Sequence, residues 1–128
     1  MVTRLARLLL GIAAFLLLFD VAIHTAAFAK ASPLLGQIVN GDFYPGALRA
    51  VWLIDSSSLA VLAALLIAIA WRPGLATRGI VILLGLMPAA AALLFYSICG
   101  LGFLPGHLMA GAAILTIAAG IQFPPARI

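Results

Sequence analysis

The chain contains 128 residues, of which 66% are hydrophobic and 8% are charged, and its mean hydropathy is +1.31. Soluble domains are roughly half apolar and about one quarter charged, so this composition excludes a soluble domain and indicates that lipid is the solvent. The net charge of +4 comes from seven Lys and Arg residues spread along the chain, which excludes the basic patch of a nucleic-acid-binding protein. A single cysteine, Cys99, excludes an intramolecular disulfide scaffold.

Four apolar stretches have the length, or nearly the length, that is needed to cross a bilayer. A hydrocarbon core about 30 Å thick requires roughly 20 residues of helix. The stretches cover residues 5–29, 47–71, 79–102 and 106–123. Because lipid offers no hydrogen-bond partners to the backbone, each stretch is expected to be helical. Turn-forming residues separate them, at Ser32-Pro33, Asn40-Gly41, Pro45-Gly46, Arg72-Pro73-Gly74 and Pro105-Gly106. The sequence therefore predicts one all-α domain over residues 1–128, an integral membrane bundle of four antiparallel helices.

The first stretch has a second interpretation, as a secretory signal peptide. Arg4 and Arg7 precede an apolar run over residues 8–19, and Ala27-Phe28-Ala29 has the small-x-small form of a cleavage site. However, the apolar character continues past Asp20 to residue 29, which is long enough to span a membrane. We therefore expect an uncleaved first helix.

The basic residues predict the orientation of the chain. Five of them flank the N-terminus, the second loop and the C-terminus, namely Arg4, Arg7, Arg72, Arg78 and Arg127. Only Lys30 and Arg49 flank the opposite side. Loops rich in Lys and Arg stay in the cytoplasm, so both termini are predicted to be cytoplasmic. In a bacterium, this is a multi-pass protein of the inner membrane whose 30–46 loop faces the periplasm.

Two of the three acidic residues, Asp20 and Asp55, lie inside predicted membrane spans, whereas Asp42 lies in the outer loop. An aspartate at the centre of a spanning helix costs about 2.5–3.5 kcal/mol on insertion scales, so such a position is rarely accidental. At about 1.5 Å per residue, both carboxylates are expected roughly 12–14 Å below the outer boundary. Because consecutive spanning helices run antiparallel, we expect Asp20 and Asp55 to share a layer.

The other polar side chains of the spans fall in the same outer half. His24 follows Asp20 by four residues and therefore shares its helix face. Trp52 and Ser58 flank Asp55 at three-residue spacing. Further candidates for the wall of a pocket lie on the first, third and fourth helices, namely Phe28, Tyr96 and His107. This clustering predicts one pocket that opens toward the outer face.

Two carboxylates in a low-dielectric layer cannot easily both be ionised, so one is expected to serve as an acid and the other as a base. With His24 beside them, Asp20 and Asp55 would form a catalytic set for the isomerisation, hydration or ring opening of a small apolar molecule. The substrate would be a lipid, a terpenoid or a quinone-like compound that enters from the outer leaflet, and Trp52, Phe28, Tyr96, Ser58 and His107 would bind it. This interpretation requires no cofactor.

Three alternatives remain open at this point. Asp20, His24, Asp55 and His107 could together bind zinc or non-haem iron, although His107 is expected nearer the interface than Asp55. The chain could instead be an accessory subunit of a larger membrane complex, or a homo-oligomer, with its polar residues specifying helix partners.

The last alternative is purely structural. Asp20 and His24 could satisfy each other by a hydrogen bond at i, i+4 spacing, and Asp55 could bond to the serines or to Tyr96. Ser56, Ser57 and Ser58 lack the context of a nucleophile and are expected to bond to the preceding turn.

The opening of the first helix reads Arg4-Leu5-Ala6-Arg7-Leu8-Leu9-Leu10-Gly11. Together with the chain length and the four-helix layout, this segment resembles small bacterial inner-membrane proteins of the DoxX-like type. The resemblance implies the fold and the membrane location, and it assigns no functional residue.

Overall fold

A computed structural model describes residues 2–38 and 43–125 of the chain. Within these residues the chain forms four α-helices, α1 (Arg4–Ile38), α2 (Phe43–Trp71), α3 (Arg78–Cys99) and α4 (Leu104–Ile121), with a short 3-10 helix at Pro73–Leu75. All four α-helices are long and apolar enough to cross a membrane, and the mean hydropathy of an 18-residue stretch within each is 2.2 in α1, α2 and α3 and 1.6 in α4. The prediction of an all-helical chain with four candidate membrane spans is confirmed. Four residues used in the sequence argument lie outside the described ranges: Asn40, Gly41, Asp42 and Arg127.

Two predicted helix boundaries were wrong, and both errors involve proline. The Ser32-Pro33 pair was expected to end the first helix, but α1 continues through Pro33 to Ile38. A proline inside a helix removes one backbone hydrogen bond and clashes with the preceding turn, which kinks a helix but does not always end it. Next to Pro33, the Ser32 carbonyl accepts a hydrogen bond of 2.8 Å from the Arg49 guanidinium, which ties this part of α1 to α2. At the start of α2, Pro45 lies in the first turn, where a missing N–H group costs little.

Threonine side chains cap the starts of α1 and α3, and a glycine follows the end of α3. The Thr3 hydroxyl accepts a hydrogen bond from the Ala6 backbone N–H at 3.0 Å, and the Thr77 hydroxyl accepts one from Ile80 at 3.4 Å. Each satisfies an N–H group that has no partner within its own helix. After the last turn of α3, Gly100 adopts a φ of +80°, which other residues rarely adopt.

The helices pack as a series in which α1 lies along α2 and α4, and α3 lies along α4. Glycines bring α3 and α4 close together. A Cβ atom on Gly85 would lie 2.7 Å from the Ile117 side chain and 3.2 Å from its backbone nitrogen, and one on Gly120 would lie 2.8 Å from the Ile82 side chain. Small residues of this kind allow helices in lipid to make extensive van der Waals contact.

All four helices contribute to the apolar core. Its buried members include Leu10, Leu17, Leu62, Leu66, Val81, Ala92, Met109 and Ala112. Many large apolar side chains also point outward, and examples are Phe15, Val61, Leu83, Leu93 and Ile114. An outer surface of this composition suits acyl chains as its surroundings.

Hydrogen bonds between helix ends show which ends are adjacent. The Arg7 guanidinium donates to the backbone carbonyls of Ala70 at 2.6 Å and Trp71 at 3.3 Å. The Thr3 hydroxyl donates to the Gln122 side-chain oxygen at 2.6 Å. The start of α1 therefore lies beside the end of α2. It also lies beside Gln122, the residue that follows α4.

Candidate functional site

Asp20 is buried on the core face of α1 and is only 1% exposed. Among the described residues, neither oxygen of its carboxyl group has a hydrogen-bond partner. Asp55 on α2 interacts with Asp20 electrostatically, but no hydrogen bond joins the two carboxyl groups. Burying a polar group without a partner costs about 1–3 kcal/mol, and burying an unpaired charge costs far more. The position therefore favours the neutral carboxylic acid.

His24 lies one turn beyond Asp20 on the same helix, as the spacing predicted, but it pairs with α2. Its Nε2 atom lies 3.6 Å from Oδ2 of Asp55. The His24 side chain is 18% exposed and the Asp55 side chain is 46% exposed, so both lie nearer the surface of the bundle than Asp20. The hydrogen bond between Asp20 and His24 that the structural alternative requires is not formed, and the imidazole lies beside the carboxylate of α2 instead.

Trp52 holds His24 in place from α2. Its ring nitrogen donates a hydrogen bond of 3.1 Å to the His24 backbone carbonyl. The two rings lie 4.9 Å apart between centroids, and the ring of Phe28 lies 5.9 Å from that of Trp52 on another side. Two of the predicted wall residues, Trp52 and Phe28, therefore contact each other next to the His24–Asp55 pair.

The three serines that follow Asp55 bond to their own helix. The Ser56 hydroxyl donates to the Trp52 carbonyl at 3.1 Å, and the Ser57 and Ser58 hydroxyls donate to the Ile54 carbonyl at 2.9 and 2.8 Å. The expectation that these hydroxyls bond to the preceding turn is confirmed. Since a hydroxyl has one donor and two acceptor lone pairs, each serine retains acceptor capacity.

Tyr96 and His107 form a separate pair on α3 and α4. The Tyr96 hydroxyl and Nδ1 of His107 lie 2.8 Å apart, and the ring centroids are separated by 5.4 Å. Gly106 makes this contact possible, because a Cβ atom there would lie 2.8 Å from the Tyr96 ring. In the described part of the chain, no hydrogen bond, ion pair or ring contact joins this pair to Asp20, His24 or Asp55. The sequence placed both residues at the outer end but did not pair them.

The predicted metal ligands are not gathered into one cluster. Within residues 2–38 and 43–125, no group of three or more His, Cys, Asp or Glu side chains is arranged to hold a metal ion. The described residues therefore place the four predicted ligands in different contacts, with His24 and Asp55 as one pair and His107 beside Tyr96.

Comparisons of the chain with protein-family models, with curated proteins and with solved structures find no match. The interpretation of the site consequently depends on its geometry.

Proposed function

We propose that the chain is a multi-pass inner-membrane protein in which four antiparallel helices span the bilayer and both termini are cytoplasmic. The proposal is supported by the distribution of basic residues. Arg4 and Arg7 lie in the first turn of α1, and Arg72 and Arg78 lie between α2 and α3 or at the start of α3. Such an excess over the opposite end is typical of the cytoplasmic side.

We further propose that Asp20, His24 and Asp55 carry out acid–base chemistry on a small apolar molecule, in the class of lipids, terpenoids or quinone-like compounds. The observation that carries this proposal is the buried carboxyl group of Asp20, which has no hydrogen-bond partner among the described residues. A structural role would be served better by a partnered group, since an unpartnered one only destabilises the fold. Intramembrane ionisable residues are usually functional for the same reason.

Each residue of the set has a distinct role. Asp20 holds a proton in an apolar layer and donates it to the substrate. The His24–Asp55 pair accepts the proton that the substrate or the attacking water gives up, and the return of that proton to Asp20 restores the starting state. Trp52 fixes the imidazole by ring packing and by its hydrogen bond to the His24 carbonyl. Isomerisation, hydration and ring opening all need a proton donor and a proton acceptor of this kind.

Deuterium incorporation tests the proposal and does not require an identified substrate. Membranes that contain the full chain are incubated in heavy water with a total lipid extract, and the products are analysed by mass spectrometry. Wild-type protein should place deuterium on carbon, or add the elements of water, in at least one lipid species. Asp20→Asn and Asp55→Asn should insert normally and lose this activity by about a hundredfold or more, as expected for removal of a general acid or base.

Ser97→Ala is the matched control, since Ser97 is exposed on α3 and its hydroxyl donates only to the Leu94 carbonyl. This variant should retain the wild-type activity. If both aspartate variants also retain it, acid–base catalysis by this site is excluded. A stoichiometric partner recovered in mild detergent would then favour the alternative of an accessory subunit in a membrane complex.

A further inference from the structure

A groove runs between α2 and α3 next to the proposed catalytic set. Its volume is about 340 Å³, and it is lined by Ser57, Ser58, Val61, Leu62, Leu65, Leu84 and Met87. The two serines form one end, and the remaining lining side chains are apolar. A volume of this size lies at the lower end of the range of small-molecule sites, about 300–1,000 Å³.

The groove opens toward the lipid because α2 and α3 are held apart. Extensive packing joins α1 to α2, α1 to α4 and α3 to α4. Val61 and Leu65 on α2 and Met87 on α3 are 60%, 46% and 48% exposed. An apolar molecule dissolved in the bilayer can therefore reach the groove sideways.

The serine end of the groove leads to Asp55. Ser58 and Leu62 follow Asp55 at three- and seven-residue spacing, which places all three residues on one face of α2. Two of them line the groove, and the side chain of Asp55 is nearly half exposed. The groove is therefore an approach to the acid–base site.

The hydrogen-bonding groups at the serine end of the groove determine which ligand headgroup can bind there. The hydroxyl protons of Ser57 and Ser58 are used by the Ile54 carbonyl, so that these serines offer acceptor lone pairs. The ionised carboxylate of Asp55 is also an acceptor, and it repels an anionic headgroup. A neutral headgroup that donates a hydrogen bond matches this end, and a hydroxyl group is the simplest example.

We propose that the groove between α2 and α3 binds a neutral alcohol with a single chain, either a fatty alcohol or an isoprenoid alcohol. The chain lies along Val61, Leu65 and Met87, and the hydroxyl group is directed toward Ser58 and Asp55. This inference rests on the proposed function and names its substrate class. It excludes free fatty acids and anionic phospholipids as preferred occupants.

Photo-crosslinking in lipid nanodiscs tests the proposal with the full chain. The probe is a long-chain fatty alcohol with a diazirine near the end of its chain, and the fatty acid and the methyl ether of the same chain are comparison compounds. The alcohol should label Val61, Leu65, Leu84 or Met87. The methyl ether, which lacks the donor, should compete about tenfold more weakly, as expected for the loss of one hydrogen bond to a charged group.

Leu65→Trp fills the groove and should abolish this labelling, and Met87→Trp provides a second filling variant if Leu65→Trp does not fold. Leu93→Trp is the matched control, because Leu93 is exposed in a separate apolar groove between α3 and α4. It should leave the labelling unchanged. Asp55→Asn should remove the discrimination between the alcohol and the fatty acid.

Two results would overturn the groove proposal. One is equal labelling of the α2–α3 groove and of Leu93 and Ile114 in the other groove, which would indicate ordinary contact with bulk lipid. The other is labelling by the fatty acid as strong as that by the alcohol in the wild-type chain. Failure of the proposed function is distinguishable, since Asp20→Asn would then retain deuterium incorporation while the groove still selected the alcohol.

Discussion

Asp20 combines deep burial with a carboxyl group that no described residue satisfies. A folded chain normally avoids this combination, because the buried group loses its hydrogen bonds to water and gains none in return. Thr116 illustrates the usual solution, since it is also fully buried but its hydroxyl donates to the Ala112 carbonyl at 2.7 Å. The proposed acid–base role would account for this cost in stability, because active sites often retain groups that destabilise the fold.

Asp20→Leu should stabilise the protein. Leucine has the same branching as aspartate at Cγ and removes the unsatisfied polar group, so we expect the free energy of unfolding to rise by about 1–3 kcal/mol. Thermal unfolding in detergent measures the change. Thr116→Val is the control, because it removes a partnered hydroxyl and should not stabilise the fold. A lower unfolding temperature for Asp20→Leu would mean that Asp20 has a structural partner.

The pairing of His24 is the part of the site that the sequence could not supply. The i, i+4 spacing correctly placed His24 on the face of Asp20, but which carboxylate it contacts depends on the rotation of α2 about its axis. The same limitation applies to Tyr96 and His107, whose contact depends on the close approach of α3 and α4 at Gly106. Which residues share one face of a helix could be predicted from their spacing. Which residues touch across two helices could not, because it depends on how the helices pack.

At the scale of the elements, the close contact of α3 and α4 is set by glycine. Gly85 faces both the side chain and the backbone nitrogen of Ile117, so a methyl group there cannot be accommodated by a rotamer change alone. The number and approximate positions of the helices could be predicted because lipid requires long apolar helices. The end of α1 and the start of α2 could not be predicted, since a proline near each is typical of a helix boundary.

Gly85→Ala should destabilise the contact between α3 and α4. The added Cβ forces the helices apart, and overpacking of this kind costs about 1–3 kcal/mol. Gly11→Ala is the matched control, because Gly11 lies within α1 with no atom in reach of an added Cβ. It should be neutral or stabilising by about 0.5–1 kcal/mol, the usual difference between glycine and alanine in a helix. Equal unfolding temperatures for the two variants would contradict the packing argument.

At the scale of the whole molecule, length distinguishes the first pair of helices from the second. Helix α1 has 35 residues and α4 has 18, which correspond to about 52 and 27 Å at 1.5 Å per residue. Only the second value matches a hydrocarbon core of about 30 Å. Either α1 tilts strongly or its last turns lie beyond the hydrocarbon, on the side where Arg49 binds the Ser32 carbonyl.

The proposed orientation predicts the accessibility of Cys99, which is exposed at the end of α3. A maleimide that does not cross membranes should label Cys99 in intact cells in which the outer face is accessible. In a Cys99→Ser background, Gly74→Cys should be labelled only after the membrane is permeabilised, because Gly74 lies between the basic residues Arg72 and Arg78. The reverse pattern would place both termini outside the cytoplasm.

The contact of Arg7 with the last carbonyls of α2 also bears on the synthesis of the chain. Those carbonyls have no partner within α2, and the guanidinium supplies both donors and a positive charge where the helix dipole is negative. The first two helices can thus complete each other before the rest of the chain leaves the ribosome. We expect them to enter the bilayer together as a helical hairpin.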